Sequence, residues 1–209
     1  MSVDFTAVPR VPFRLDRVSD TTGEVLRKLT GFADPPSPIF IADVVRERGR
    51  IVAPGRRLDR ANLAVITLPS EYEDAGEKPL GTSLASYDVA LGDLAERSWI
   101  LMIGLPRLTL PTRGGTVDVL ISPTRTCVGV VMTIALALAI ALESQGEFDD
   151  GEVMLLGRPG PRDPRIFIDT TQATWQPTDF IKGCTSFMRQ FPALQGWPPD
   201  ASLPLEPNH

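Results

Sequence analysis

Between Arg125 and Glu143 the chain reads CVGVVMTIALALAIAL, 16 residues without a charge. At 3.6 residues per turn, the large side chains of such a run fall on every side of a helix and leave no face suited to water. Two environments accept that helix, a bilayer or a protein interior. A membrane span ordinarily needs about 20 apolar residues, and strand-like segments flank this run closely on both sides. The expectation is therefore a helix from Cys127 to Leu142 at the buried centre of an α+β fold, with no membrane association.

The surrounding pattern predicts the rest of the scaffold. A helix is expected near Glu24–Leu29, with Ser19, Asp20, Thr21 and Thr22 as cap candidates and Gly31 as its stop. Ile39–Val45 and Ala61–Leu68 suggest strands. Leu84, Tyr87, Leu91 and Leu94 share one helical face and suggest a helix from Ser83 to Arg97. Trp99–Ile103, Val117–Ile121 and Glu152–Leu156 suggest further strands, and Arg165–Asp169 another. A last helix is expected from Asp179 to Gln190, followed by a Pro-rich tail anchored by Leu194 and Trp197.

From residue 61 onward this order is β-α-β-β-α-β, the ferredoxin-like arrangement in which an antiparallel sheet carries two helices on one face. Residues 1–60 would add an N-terminal layer, 61–157 would form the core, and 158–209 would supply a C-terminal helix and tail. All 209 residues are thus assigned to one α+β domain.

Several chemistries lack their residues. The single histidine is His209, at the terminus, so Ser-His-Asp and Cys-His catalysis have no internal base. Two scattered cysteines do not make a zinc site. Neither a GxxxxGK[ST] loop nor a strand-linked GxGxxG occurs, so no nucleotide cofactor is indicated. No catalytic or metal-binding residue is assigned. Charges at the start, MSVDFTAVPRVPFRLDRV, interrupt what would be a signal peptide's apolar segment, and the scattered cysteines fit a reducing compartment. A cytoplasmic location is the expectation.

Charge patterning offers binding surfaces instead. Between residues 43 and 60 six arginines, among them Arg46, Arg48, Arg56 and Arg57, outnumber Asp43, Glu47 and Asp59. The whole chain has a formal charge of −5, so this is a local reversal of sign. Guanidinium groups in such a cluster suit phosphate or an acidic protein surface. No aromatic residue lies between Arg46 and Arg60 to stack bases, which argues against nucleic acid and for a protein partner. Glu71, Glu73 and Asp74 open an acidic loop that could also meet a partner.

Three other features have both a functional and a plain reading. Glu147, Asp149, Asp150 and Glu152 could serve a cation or acid–base chemistry, and Asp149-Asp150-Gly151 is also an ordinary turn. The loop Gly157–Pro164 could hold an anion through Arg158 and Arg162, or simply connect. Lys182 near Cys184 could activate a thiol, although a structural cysteine is the simpler reading.

The stretch Ile134–Leu142 followed by Gly146 and Asp149-Asp150 resembles the helix-to-strand segment of bacterial toxin-immunity-type α+β proteins. A large ordinary core without catalytic groups, the acidic loop from Glu71 to Glu77 and the rigid Pro-rich segments predict a non-enzymatic protein-binding protein. The resemblance implies an immunity-type inhibitor of a toxin as its form. It covers about 30 residues and transfers no site residue. The alternative is a small-molecule-binding or carboxylate-based enzyme domain using Glu147–Glu152.

Overall fold

The structure, a computed structural model, describes residues 3–47, 50–72, 82–92, 94, 96–106, 115–157, 160–191, 194 and 196–202. Its centre is the apolar helix α3 (Cys127–Glu143), and every residue from Cys127 to Ala141 is buried. The Thr126 hydroxyl accepts from the Gly129 N–H at 3.0 Å, which satisfies one of the free donors at the helix start. Its one buried polar side chain within the apolar run, Thr133, hydrogen-bonds Ser98 at 2.6 Å, so no polar group there is left dry and unpaired.

A mixed α+β architecture surrounds α3. The strands are β1 (Phe5–Val8), β2 (Phe13–Arg14), β3 (Pro38–Ala42), β4 (Val45–Glu47), β5 (Arg50–Ala53) and β6 (Arg56–Arg57). They continue with β7 (Thr67–Leu68), β8 (Glu71–Tyr72), β9 (Thr82–Leu91), β10 (Arg97–Pro106), β11 (Gly115–Ser122) and β12 (Glu147–Asp149). The main sheet is antiparallel in the order β12-β1-β11-β10-β9-β3-β6, with β8 pairing β11 beside it. Two small ribbons, β2-β7 and β4-β5, stand apart from it.

Helices complete the enclosure. α3 lies against β1, β10, β11 and β12, and α1 (Leu15–Thr30) and α5 (Phe180–Arg189) pack on its far side. α2 (Arg60–Val65) leans on α1, and α4 (Pro164–Thr171) touches both α1 and α3. Helix α1 faces inward through Leu15, Val18, Val25, Leu26 and Leu29 and ends at Gly31, whose φ of 71° suits the left-handed cap. Beyond α5, Asp200 accepts from the Cys127 N–H with both oxygens, at 2.9 and 3.0 Å. Leu194 and Trp197 are half-buried against the core. No helix among the described residues is long and apolar enough to cross a membrane.

Four expected elements differ, and with them the ferredoxin-like order. Ala61–Leu68 is mostly helix α2, because the Asp59 side chain caps it by accepting from the Asn62 N–H at 2.7 Å. Ser83–Arg97 is strand in its first part. Ala85, Tyr87, Val89 and Leu91 turn alternately inward, a period of two that coexists with the helical spacing of Tyr87, Leu91 and Leu94. Glu152–Leu156 forms a 3₁₀ turn and loop: Gly151 and Met154 have φ of 54° and 48°, and the strand lies earlier, at β12. Arg165–Asp169 belongs to α4, where Asp163 caps the Arg165 N–H and Pro164 occupies the first turn. Between 61 and 157 the observed order is α2-β7-β8-β9-β10-β11-α3-β12.

Because α3 is packed on all sides, it tolerates neither loss nor gain of volume. Leu136→Ala is expected to cost about 2–5 kcal/mol and Ala137→Leu about 1–3 kcal/mol, both read from urea unfolding. A loss below about 0.5 kcal/mol in both would mean that the helix has an open side.

Candidate functional site

The arginine-rich segment forms an arm at one edge of the sheet. At the end of β3 the chain turns through Asp43, with φ of 60°, and it returns through Gly55, with φ of 76°. A Cβ on Gly55 would lie 2.3 Å from the Ala42 carbonyl oxygen and 2.7 Å from Val44 Cγ2, so only glycine lets the two feet of the arm close. Between them β4 and β5 pair with Arg46 opposite Ile51 and Glu47 opposite Arg50, and a register shift next to Val45 bends the ribbon.

One ion pair fixes the arm to the sheet. Asp88 lies on the sheet face turned away from α3 and is only 1% exposed. Arg46 Nη2 donates to both of its oxygens at 2.6 Å, and Arg97 Nη1 stands 3.8 Å away. The Arg46 guanidinium also lies 5.5 Å from the ring centroid of Trp99, which is directly opposite Asp88 on β10. A carboxylate this deep is tolerated because cations meet it there.

Held in this way, the arm displays apolar side chains to solvent. Val45, Ile51 and Val52 are 49%, 40% and 53% exposed, with Arg50 exposed beside them. Arg57 is exposed on the edge strand opposite Ile41, and Arg56 bonds Asn62 Oδ1 at 3.3 Å with Asp43 4.0 Å away. The structure therefore gathers Arg46, Arg50, Arg56 and Arg57 on the arm and its base. Arg60 turns instead to Asp20, at 2.8 Å. Arg48, Glu73 and Asp74 lie outside the described residues. Glu71 is exposed on β8, separated from β6 by β11, β10, β9 and β3.

The acidic cluster is divided among structural tasks. Asp150 is fully buried, pairs with Arg162 at 3.0 Å and accepts from the Leu155 N–H at 2.7 Å. Burial pushes its carboxyl above the ordinary range, and Arg162 partly offsets that. Asp149 accepts from the Gly151 N–H, the short turn expected there, and Glu147 pairs with Arg10 at 3.0 Å. Glu147 also borders a cleft of about 550 Å³ at the end of α3, with Arg10, Glu143, Asp163 and Arg165. Among the described residues no group of three His, Cys, Asp or Glu side chains is placed to hold a metal ion.

The other two features are also structural here. Arg162 joins its loop to β12 through reciprocal backbone bonds with Phe148 at 2.9 and 3.0 Å, and Arg158 lies outside the described residues. Lys182 pairs with Asp179 at 3.8 Å, while Cys127 and Cys184 are buried free thiols. Burial is the main cause that pushes the Cys127 thiol up to about 12, and it raises Cys184 well above its ordinary value. Neither is a nucleophile at neutral pH.

Comparison with protein-family models, with curated proteins and with solved structures finds no match. The arm is the strongest candidate for a binding surface. The arginines mark the arm in the sequence, whereas the roles of Asp88, Trp99 and the exposed Val45, Ile51 and Val52 depend on strand pairing far along the chain. The one sequence signal for Asp88 is a lone charge inside the apolar run Tyr87-Asp88-Val89-Ala90-Leu91.

Two outcomes follow from these electrostatics. Arg46→Ala leaves Asp88 buried with only the more distant Arg97, and is expected to cost about 3 kcal/mol by urea unfolding, the low end for a broken buried pair because Arg97 remains. Asp118, half-buried on β11, has its carboxyl raised first by desolvation and then by the nearby Asp149 charge. A raised value means that the folded chain holds the proton more tightly than the unfolded chain. Its stabilising share is present below the ordinary carboxylate range and is lost as pH rises through the raised value. Asp118→Asn should therefore raise the melting temperature at pH 7 in dilute solution, and the gain should vanish in acid.

Proposed function

We propose that this chain is a non-enzymatic protein-binding protein of the immunity type, and that it docks an acidic partner protein on the β4–β5 arm. The observation that carries this reading is the arm's combination of exposed Val45, Ile51 and Val52 with Arg50, Arg56 and Arg57. Apolar side chains ringed by arginine are what interface centres and rims require. The feet at Asp43 and Gly55, together with the Arg46–Asp88 pair, hold the arm in place before any partner arrives, which lowers the entropic cost of binding.

An acidic occupant is favoured because the arm reverses the sign of a chain with formal charge −5. Protein is favoured over nucleic acid because the arm presents aliphatic groups, and the aromatic ring closest to it, Trp99, is already stacked by Arg46. The carboxylate-enzyme alternative is weakened by the ion pairs and turn bonds that occupy Asp150, Asp149 and Glu147. Two buried free thiols fit a reducing, cytoplasmic setting.

Affinity isolation from the native host, with the wild-type chain and with an Arg50→Glu/Val52→Asp/Arg57→Glu variant in parallel, tests this. An acidic protein should be retained by the wild type, elute as salt rises, and bind the variant at least about tenfold more weakly. Identical recovery on both would remove the arm from the binding surface. Since all three positions are exposed, the variant should melt close to the wild type.

A further inference from the structure

On the helical side of the fold, remote from the arm, α1, α4 and α5 meet around a small cleft of about 230 Å³. The end of α1, the end of α4 and one face of α5 border it, and the segment after α4 closes its side. The buried Leu29 and Phe187 border it from the core. Towards solvent it is lined by Gln172, Thr174, Trp175, Ser186 and Gln190, each partly or largely exposed. Among the described residues no charged side chain lines it, although 22% of the chain is charged.

The walls of this cleft are fixed to one another. The Ala173 N–H donates to the Lys28 carbonyl at 2.9 Å, which ties the connection between α4 and α5 to α1. At Gly31 a Cβ would lie 2.2 Å from the Trp175 carbonyl oxygen, so that connection rests directly on the end of α1. Gln190 Nε2 donates to the Thr171 carbonyl at 3.1 Å, which joins α5 to α4 and leaves Oε1 as an acceptor. The Gln172 amide and the Thr174 and Ser186 hydroxyls make no hydrogen bond among the described residues. Their donors and acceptors are therefore open to a ligand, in a site that needs no rearrangement to receive one.

We infer that this cleft binds one neutral monosaccharide unit. An ion entering it would lose hydration without meeting an opposite charge, so the ligand is uncharged. Gln, Ser and Thr side chains both donate and accept, as every sugar hydroxyl does, whereas an apolar ligand would cover them unpaired. A pyranose ring also carries apolar C–H faces between its hydroxyl edges. Those faces suit the ground provided by Leu29, Phe187 and Trp175, the last an aromatic residue left 47% exposed. Volume sets the size of the ligand. A cleft of about 230 Å³ is smaller than the roughly 300–1,000 Å³ of drug-sized sites, so a single ring fills it and any longer chain extends into solvent. With so few atoms in contact, the dissociation constant is on the order of millimolar.

Amide NMR of the isotope-labelled chain, titrated with glucose, galactose, mannose and N-acetylglucosamine to about 50 mM each, provides the test. At least one sugar should move the signals of Ala173, Trp175, Gly183 and Phe187 along a saturating curve. Sodium acetate and methylammonium chloride at the same concentration should not. Thr174→Val/Ser186→Ala removes two hydroxyls with little change of shape and should weaken binding about tenfold or more. Ser186→Leu places a larger side chain at the cleft and should abolish the response. Melting curves establish that each variant is folded, and if Ser186→Leu is not, the double variant decides alone. No saturating response to any of the four sugars, unchanged affinity in the folded double variant, or an equal response to the two ions would each overturn the proposal. Arg50, Val52 and Arg57 are unaltered throughout, so docking of an acidic partner on the arm is measured separately and can succeed or fail independently.

Discussion

Helix α3 has no side that water can solvate, and the arrangement of the other elements follows from hiding it. A sheet covers one side, through β1, β10, β11 and β12, and α1, α4 and α5 cover the rest. Burial of Cys127 through Ala141 supplies a continuous apolar contact to both layers, and β2 and the turn carrying Asp200 also meet the helix. Gly146 shows how tight the closure is. A Cβ there would lie 2.1 Å from the Val8 carbonyl oxygen, so the chain leaving α3 passes directly against β1. At the other end of the helix, the Asp200 carboxylate occupies the first exposed N–H, where negative charge is also favoured by the helix dipole.

Committing one face of the sheet to α3 leaves the other face with different physics. Inward positions such as Val89, Ile100, Met102, Val117 and Val119 are apolar and buried, while the outward positions beside them carry Asp88, Trp99, Asp118 and Ser122. A charge on the outward face can be kept only if something accompanies it. The arm supplies that for Asp88, and the pairing reaches across 42 residues of sequence. The same contact gives the arm its fixed position, so a structural necessity of the sheet also fixes how Val45, Ile51 and Val52 are presented to solvent.

The parts of this fold legible in the sequence are those fixed locally. The central helix was readable because 16 uncharged residues exceed what any strand in a small sheet uses. The cap at Gly31, the strands containing Trp99–Ile103 and Val117–Ile121, and the helix after Asp179 were readable for similar reasons. Misread segments each had two compatible periodicities or a short capping signal beneath an apolar run. Tyr87 and Leu91 satisfy both helix and strand spacing, and pairing with β10 and β3 decides in favour of the strand. Asp59 and Asp163-Pro164 were local helix-start signals that outweighed the apolar residues following them. In α2 the cost is visible, since Val65 is left 81% exposed.

Site residues were harder to read than fold residues because their meaning depends on partners far along the chain. Arg46, Arg56 and Arg57 look alike in sequence, yet one anchors the arm, one braces its base and one faces solvent. The carboxylates Glu147, Asp149 and Asp150 look like a cluster in sequence because they are neighbours there. In β12 alternation sends Glu147 and Asp149 to one side and Phe148 to the other, and the turn after the strand carries Asp150 inward to Arg162. Proximity in sequence therefore overstated their cooperation. The register of β9 and β10, which no local pattern specifies, is what places Trp99 opposite Asp88, where Arg46 meets both. An arrangement of this kind is created by pairing, and it becomes visible only once the strands are laid side by side.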